Sequence, residues 1–186
     1  MKVEQQEINA AVDVLNNQGV IAYPTEAVWG LGCDPYSQGA VSKILSIKHR
    51  PEAKGLILVA ACMSQFGRLL NGLSASQLQC LQMSWPGPVT WIIEDNNDLI
   101  PQWIKGDFSS VAVRVSDHPA VVALCQAYGG FLVSTSANPS GLSPASDEGA
   151  CRSYFGTKVD YYLPGDLGSC TKPSSIRILN DGAIVR

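Results

Sequence analysis

Three polar clusters interrupt the apolar runs of this chain, and their residue types suit the handling of anions. The first is Tyr23-Pro24-Thr25-Glu26, and the second is Lys48-His49-Arg50-Pro51 with Lys54 close behind. The third is Ser134-Thr135-Ser136-Ala137-Asn138-Pro139-Ser140-Gly141. Lys48 and Arg50 stand two residues apart, so on a continuous helix they would face different ways. At a helix end that runs into an extended turn, both can converge on one anion, Arg with a planar fork and Lys with a mobile point charge. A solvated basic terminus favoured by the helix dipole accounts for the same pair. The hydroxyl-rich third cluster follows an apolar strand, where small residues let backbone N–H groups and hydroxyls approach a ligand. An ordinary Ser/Asn/Pro/Gly turn has the same composition. Arg114 sits inside the apolar run Val111 to Val115, so it must be edge-exposed, paired, or bound to a carboxylate or phosphate.

Other residues lead less far. There is no GxxxxGK[ST], which excludes a Walker-type ATPase, and Gly30-Leu31-Gly32 lacks the third glycine of a dinucleotide fingerprint. His118, between Asp117 and Pro119, fits a helix start. Cys33 fits a buried thiol, and Trp85, Trp91 and Trp103 fit packing. The six cysteines (Cys33, Cys62, Cys80, Cys125, Cys151, Cys170) include no CxxC, and the two histidines, His49 and His118, are far apart. No metal site is expected from that spacing.

The elements that would position these clusters can be read from periodicity. Ile8, Ala11, Val12 and Leu15 fall on one helical face, and Asn16-Asn17-Gln18-Gly19 ends that helix. Val20 to Tyr23 reads as a buried strand stopped by Pro24, and Thr25 to Pro35 as a loop. Ser37 is a candidate cap for a helix carrying Ala40, Val41, Ile44 and Leu45 and ending near Lys48. Pro51 biases Arg50 towards an extended conformation. Leu56 to Ala60 is the next strand, followed by helices over Ser64 to Leu70 and Ser74 to Ser84. Val89 to Ile93 and Val111 to Val115 are strands joined through a polar loop, Asp95 to Asp98. Pro119 suits the first turn of a helix reaching Tyr128. Phe131 to Ser134 is a strand, Thr135 to Ser146 a loop, Asp147 to Phe155 a helix, with short strands near Val159, Ile176 and Ile184. Strands and helices alternate without strict βαβ regularity, which predicts one α+β domain over residues 1–186, a twisted mixed sheet flanked by helices.

The 186 residues are enough to bury a substantial core, and 46% apolar against 16% charged residues excludes disorder. The net charge of −3 excludes a whole-surface electrostatic nucleic-acid binder. The start is polar without an apolar signal core, and no apolar run is long enough to span a membrane. Reduced cysteines and a cytoplasmic location are expected.

Taken in order along the chain, Tyr23-Pro24-Thr25-Glu26, Gly30-Leu31-Gly32, Lys48-His49-Arg50-Pro51, Trp85-Pro86-Gly87-Pro88-Val89-Thr90, Val111-Ala112-Val113-Arg114-Val115 and Ser134-Thr135-Ser136-Ala137-Asn138 resemble the YrdC family. The resemblance covers nearly the whole chain, and Lys48/Arg50 with Ser136/Asn138 match the family's K-x-R and S-x-N tetrad. It implies a mixed sheet with a concave, positively lined cavity. It also implies a nucleotidyl transfer in which L-threonine, bicarbonate (or CO2) and ATP give a threonylcarbamoyl adenylate and diphosphate, with Mg2+ on the triphosphate. By the same resemblance, partner proteins of a threonylcarbamoyl-transferase complex then pass the group to tRNAs reading codons that begin with A. On that reading Lys48 and Arg50 offset phosphate charge as the catalytic residues, and Ser134, Ser136, Asn138 and Arg186 hold ATP. Thr25, Thr90, Arg114 and Ser174 hold threonine. Longer family members carry N-P-L-I-V-H where this chain has Lys54-Gly55-Leu56-Ile57-Leu58-Val59, so a pocket histidine is missing. They also carry a C-terminal domain that this sequence does not show. The rival expectation is a non-catalytic protein of rRNA or tRNA maturation, binding RNA weakly through Lys43, Lys48, Arg50 and Lys54. No RNP1 or KH signature supports it. A hydrogenase-maturation module would bring zinc-finger and acylphosphatase-like segments, which are absent from this sequence.

Overall fold

The computed structural model describes residues 3–170 and 172–186. Its strands are β1 (Ile21–Pro24), β2 (Trp29–Gly32), β3 (Ile57–Ala60), β4 (Val89–Glu94), β5 (Ser110–Val115), β6 (Leu132–Ser136), β7 (Tyr161–Tyr162) and β8 (Ser175–Ile178). They form a mixed sheet in the order β7-β1-β2-β6-β3-β5-β4-β8. The β3–β5, β4–β8 and β1–β7 pairs are parallel and the other pairs antiparallel.

Side chains alternate across the strands, and this separates two apolar layers. Ile21, Tyr23, Val59 and Leu132 point to one face, where α1 (Gln5–Asn16) brings Ile8, Ala11 and Leu15 and α6 (Pro119–Tyr128) brings Ala120, Val121 and Leu124. Ala22, Leu31, Leu58, Val113 and Val133 point the other way, into a larger core with α2 (Gln38–Lys48), α4 (Ala75–Ser84) and α7 (Glu148–Phe155). The first face is covered by helices only in part. Ile57, Ala112, Ile92 and Ile176, on β3, β5, β4 and β8, stay half-buried, and they floor a cleft.

Capping follows the residue types. Ser37 Oγ accepts from the Ala40 N–H at the start of α2, and Ser74 with Gln77 forms a capping box on α4. Pro119 occupies the first turn of α6, as its fixed φ favours.

The structure departs from the sequence expectations at five places. Trp29–Gly32 is a strand, not loop: a Cβ on Gly32 would lie 2.7 Å from Tyr23 Cε1 and 2.7 Å from the Val133 carbonyl oxygen. The glycine is there for close approach of strand and ring, not for a turn. β6 runs on through Ser136, because β2 pairs Gly30 with Ser136 and so extends the ladder. Residues 64–70 form a 3-10 turn, Met63–Phe66, running into the single helical turn α3 (Gly67–Leu70). A short helix, α5 (Gln102–Lys105), lies where none was expected. Ile184 makes one isolated bridge to Arg177 instead of a strand.

Candidate active site

Helix α2 ends in a way that explains the Lys-x-Arg spacing. His49 takes the left-handed conformation at φ 50°, and the N–H groups of His49 and Arg50 close on the Ser46 and Leu45 carbonyls. This reversal sends the flanking side chains to different places. Lys48 goes inward and is 4% exposed, whereas Arg50 turns to the cleft. The two therefore do not meet on an exposed helix end, and the solvated-terminus reading is also overturned for Lys48.

Lys48 Nζ donates to the backbone carbonyls of Ser136 and Asn138, and its own carbonyl accepts from the Ser140 N–H at 2.7 Å. The loop after β6 is thus clamped to the end of α2 at both ends of one residue. Burial, with Arg50 adding repulsion, pushes the Lys48 ammonium down to about 8. Within the loop, Ser136 Oγ donates to Asn138 Oδ1 at 2.6 Å, and Asn138 Nδ2 donates to the Leu142 carbonyl at 2.7 Å. Ser134, Thr135 and Ser136 line the cleft, while Lys48 and Asn138 stand behind them.

The cleft has a volume of about 380 Å³. Around it stand Arg50, Lys54, Lys172 and Arg186, and among the described residues none of these four is ion-paired with a side-chain carboxylate. The guanidinium of Arg50 is lowered first by burial and then by Arg186, so the two like charges feel each other. Arg50 hydrogen-bonds the Gly55 carbonyl through Nη2 at 2.8 Å, and Arg186 Nη2 donates to the Ser174 carbonyl at 3.3 Å.

Arg114, which also lines the cleft, is 8% exposed on β5, and its Nη1 lies 2.7 Å from Glu26 Oε2. Glu26 Oε1 accepts from Ser116 Oγ, which itself accepts from the His118 N–H. Burial opposes the charged form of Glu26, but Arg114 and Ser116 outweigh it and hold the carboxyl below its usual range. Thr25 Oγ1 donates to the Val28 carbonyl at 2.6 Å. Ser174 borders the cleft, and Thr90, fully buried, shares a hydroxyl–hydroxyl hydrogen bond of 2.8 Å with it from behind. The segment leading to Ser174 is laced to the turn after β1 by Gly168 N–H to Thr25 O and Cys170 N–H to Glu26 O.

Of the residues singled out in the sequence, Thr25, Arg50, Arg114, Ser134, Ser136, Ser174 and Arg186 converge on one cleft, while Lys48, Thr90 and Asn138 brace it. Glu26 and Lys172 also line the cleft, and the sequence reading gives neither a role. The signal for Glu26 was the need of a buried Arg114 for a countercharge; for Lys172 there was none. His118 is buried, with Nε2 3.1 Å from the Asp166 carbonyl. Cys33 is buried, as are Trp85 and Trp91, which are packed in the core.

A mixed sheet with one helix-free patch, walled by hydroxyls and four cations, defines a binding domain for a polyanionic small molecule. The comparisons with known proteins narrow this class. The sequence model of the Sua5/YciO/YrdC family, described as telomere recombination, matches residues 13–186, and the chain belongs to that family. It is 49% identical over 179 residues to the threonylcarbamoyl-AMP synthase of Cellvibrio japonicus, covering 96% of this chain and 94% of the relative. To the synthase of the same name from Escherichia coli O1:K1 it is 49% identical over 181 residues, with 96% and 94% coverage. The crystal structure of P. abyssi Sua5 complexed with L-threonine superposes with a TM-score of 0.92 at 25% identity, over 100% of this chain and 55% of that one. This chain thus spans about half the length of the P. abyssi protein. E. coli YciO superposes with a TM-score of 0.85 at 26% identity, over 98% of this chain and 89% of that one.

Proposed function

We propose that this chain is a threonylcarbamoyl-AMP synthase, joining L-threonine, bicarbonate or CO2, and ATP into threonylcarbamoyl adenylate and diphosphate. The observation that carries this reading is one cleft lined by two kinds of group. Arg50 and Arg186, like charges that favour an anion between them, and the Ser134–Ser136 hydroxyls suit a polyphosphate. Thr25, Arg114 and Ser174 suit an amino acid. The carbamate oxygen attacks the α-phosphorus, a P–O bond forms, and the bond to the β-phosphate breaks with release of diphosphate. Arg50, Lys54, Lys172 and Arg186 offset the charge of the triphosphate, so the two anions can approach.

Mg2+ enters on the phosphates as part of the nucleotide substrate, the usual mode for this ion. Among the described residues, no three His, Cys, Asp or Glu side chains gather to form a protein cage. The adenylate then passes to proteins that transfer the threonylcarbamoyl group to tRNA.

The RNA-cradle alternative required Lys43, Lys48, Arg50 and Lys54 on one surface. Lys43 is instead paired with Asp160 at 2.6 Å and Lys48 is buried, so of these four only Arg50 and Lys54 stand at the cleft. No helix among the described residues is long and apolar enough to cross a membrane.

Diphosphate release, with each substrate omitted in turn, tests the proposal. Release should require ATP, threonine and bicarbonate together, because the attacking carboxylate is made from the last two. Equal release without threonine would reduce the chain to a simple ATPase.

The amino-acid groups set the order of substrates. A pocket that satisfies the threonine hydroxyl leaves buried polar groups unpaired when valine enters, so valine should fall far behind. Serine lacks only a methyl group and should lose about 1–3 kcal/mol in kcat/KM. Competition assays with the three amino acids read this order directly, and valine matching serine would show that the hydroxyl is not recognised.

A further inference from the structure

The cleft residue Arg50 is held by a turn that has little holding it in place on its own. The guanidinium rests on the Gly55 carbonyl, through Nε at 3.3 Å and Nη2 at 2.8 Å, and on the Lys54 carbonyl at 3.4 Å. Those carbonyls end a 3-10 turn, Glu52–Lys54, in which no residue is buried. What fixes the turn is a second one, across from it, at the end of α5. Leu56 N–H donates to the Ile104 carbonyl at 2.8 Å, and Asp107 N–H donates to the Ala53 carbonyl at 3.2 Å.

Between these bonds the two backbones touch at a pair of glycines. Gly55 and Gly106 both have positive φ, at 61° and 69°. A Cβ on Gly106 would lie 2.5 Å from the Ala53 oxygen, 2.6 Å from the Gly55 nitrogen and 2.7 Å from the Glu52 oxygen. A Cβ on Gly55 would lie 2.8 Å from the Lys105 carbonyl oxygen. All of these obstacles are backbone atoms, so no side-chain rotation can relieve them.

The α5 side of the contact is firmly seated. Ile104 is fully buried, and Lys105 Nζ bonds Asp95 at 3.3 Å and also Asp98. Asp95 is itself buried and accepts the Leu99 and Ile100 N–H groups at 2.9 and 2.8 Å. A firmly seated block therefore meets an exposed turn, and that turn holds the Arg50 guanidinium and carries Lys54.

We infer that Gly106 is a positioning residue for nucleotide binding: its contact with Ala53 and Gly55 sets where the carbonyls of residues 54 and 55 stand, and through them the Arg50 guanidinium. This rests on the reading of Arg50 as a phosphate ligand. Displacing a charged group from its productive position costs much more than the displacement itself suggests, since the hydrogen-bond geometry to a phosphate is narrow.

Equilibrium binding of ATP and of threonine to the full chain tests this. Gly106→Ala should weaken ATP about tenfold or more, while threonine affinity stays within about twofold. Gly129→Ala is the control for backbone strain, because Gly129 has φ 83° but nothing within 4 Å of its added Cβ. It should lower the melting temperature and leave ATP affinity alone. In the Arg50→Ala background, the further loss from Gly106→Ala should be several-fold smaller, what remains being the share of Lys54, which the same turn carries. Should Gly106→Ala fail to fold, Asp95→Asn loosens the same block from its far side and should weaken ATP in the same Arg50-dependent way. Undiminished ATP affinity in Gly106→Ala, or an equal loss with and without Arg50, overturns the inference. A wild-type chain that does not bind ATP would instead remove the functional reading beneath it.

Discussion

Replacing Lys48 by alanine will cut the rate of diphosphate release roughly a hundredfold, about 3 kcal/mol in the transition state, and will also destabilise the fold. The rate effect follows from the loop that Lys48 clamps: without the ammonium, the Ser136 and Asn138 carbonyls lose their donor, and the hydroxyls proposed to meet the phosphates lose their placement. The stability effect, about 1–3 kcal/mol, follows from leaving those partly buried acceptors unpaired. The sequence alone, placing Lys48 on an exposed helix end, predicts no change in folding; its burial reverses that expectation. Arg50→Ala should show a comparable loss of rate with far less loss of stability, since its guanidinium faces the cleft. Steady-state kinetics and thermal unfolding, run on both variants, separate the roles. A Lys48→Ala protein of normal rate would remove the clamp from the mechanism.

The same residue gives opposite pH signs for rate and stability. With a folded value of about 8, below the unfolded one of 10.5, Lys48 is a buried cation at neutral pH. As pH rises through about 8 the unfolded chain binds more protons than the folded one, so its contribution to stability improves. The charge that polarises the loop is lost over the same range, so the rate should fall.

Glu26→Ala should be the most damaging single change to the fold, by about 3–5 kcal/mol, because it strands Arg114 as an uncompensated buried charge. The side chains of the pair are 7% and 9% exposed, so little water reaches them while the carboxylate is in place. Glu26→Gln should be milder: the amide oxygen can still accept from Ser116, but the charge is gone. Since the folded carboxyl is held below its ordinary value of 4.5, the stability it contributes is complete above that value. It is lost as pH falls through the folded value. Acid titration of unfolding in wild type and Glu26→Gln reads this directly: the variant should lack that part of the acid slope. If Arg114 binds the threonine carboxylate as proposed, and Glu26 fixes its position, both variants should raise KM for threonine more than KM for ATP. An unchanged KM for threonine in both variants would show that Glu26 does not position Arg114 for the substrate.

Much of this architecture was legible because the signals were local. The strands Val20–Tyr23 and Val111–Val115, the Ser37 and Ser74 caps and Pro119 each announce themselves within a few residues. The cleft residues were legible as types, and seven of them do converge. What was not legible depends on distant partners. Gly30 and Gly32 look like loop residues until the Tyr23 ring is laid over them. Lys48 looks solvated until the loop after β6 closes on it. The pairing of Arg114 with Glu26 needs β5 and the turn after β1 brought together, which no window of sequence contains. Lys172 gave no sign at all, because a lysine in a polar segment carries no direction.

The Lys48 clamp also dictates when the proposed nucleotide site comes into being. Its donor and acceptors are 88 and 90 residues apart along the chain. Closing so large a loop costs entropy that is repaid only once the intervening strands β3, β4 and β5 have found their neighbours. The local hairpin β1–β2 and the helices can form earlier, but none of them contains the clamped loop. On the proposed site, ATP is accordingly a ligand of the finished molecule alone, and it draws the folding equilibrium towards that state without assisting any partial structure on the way.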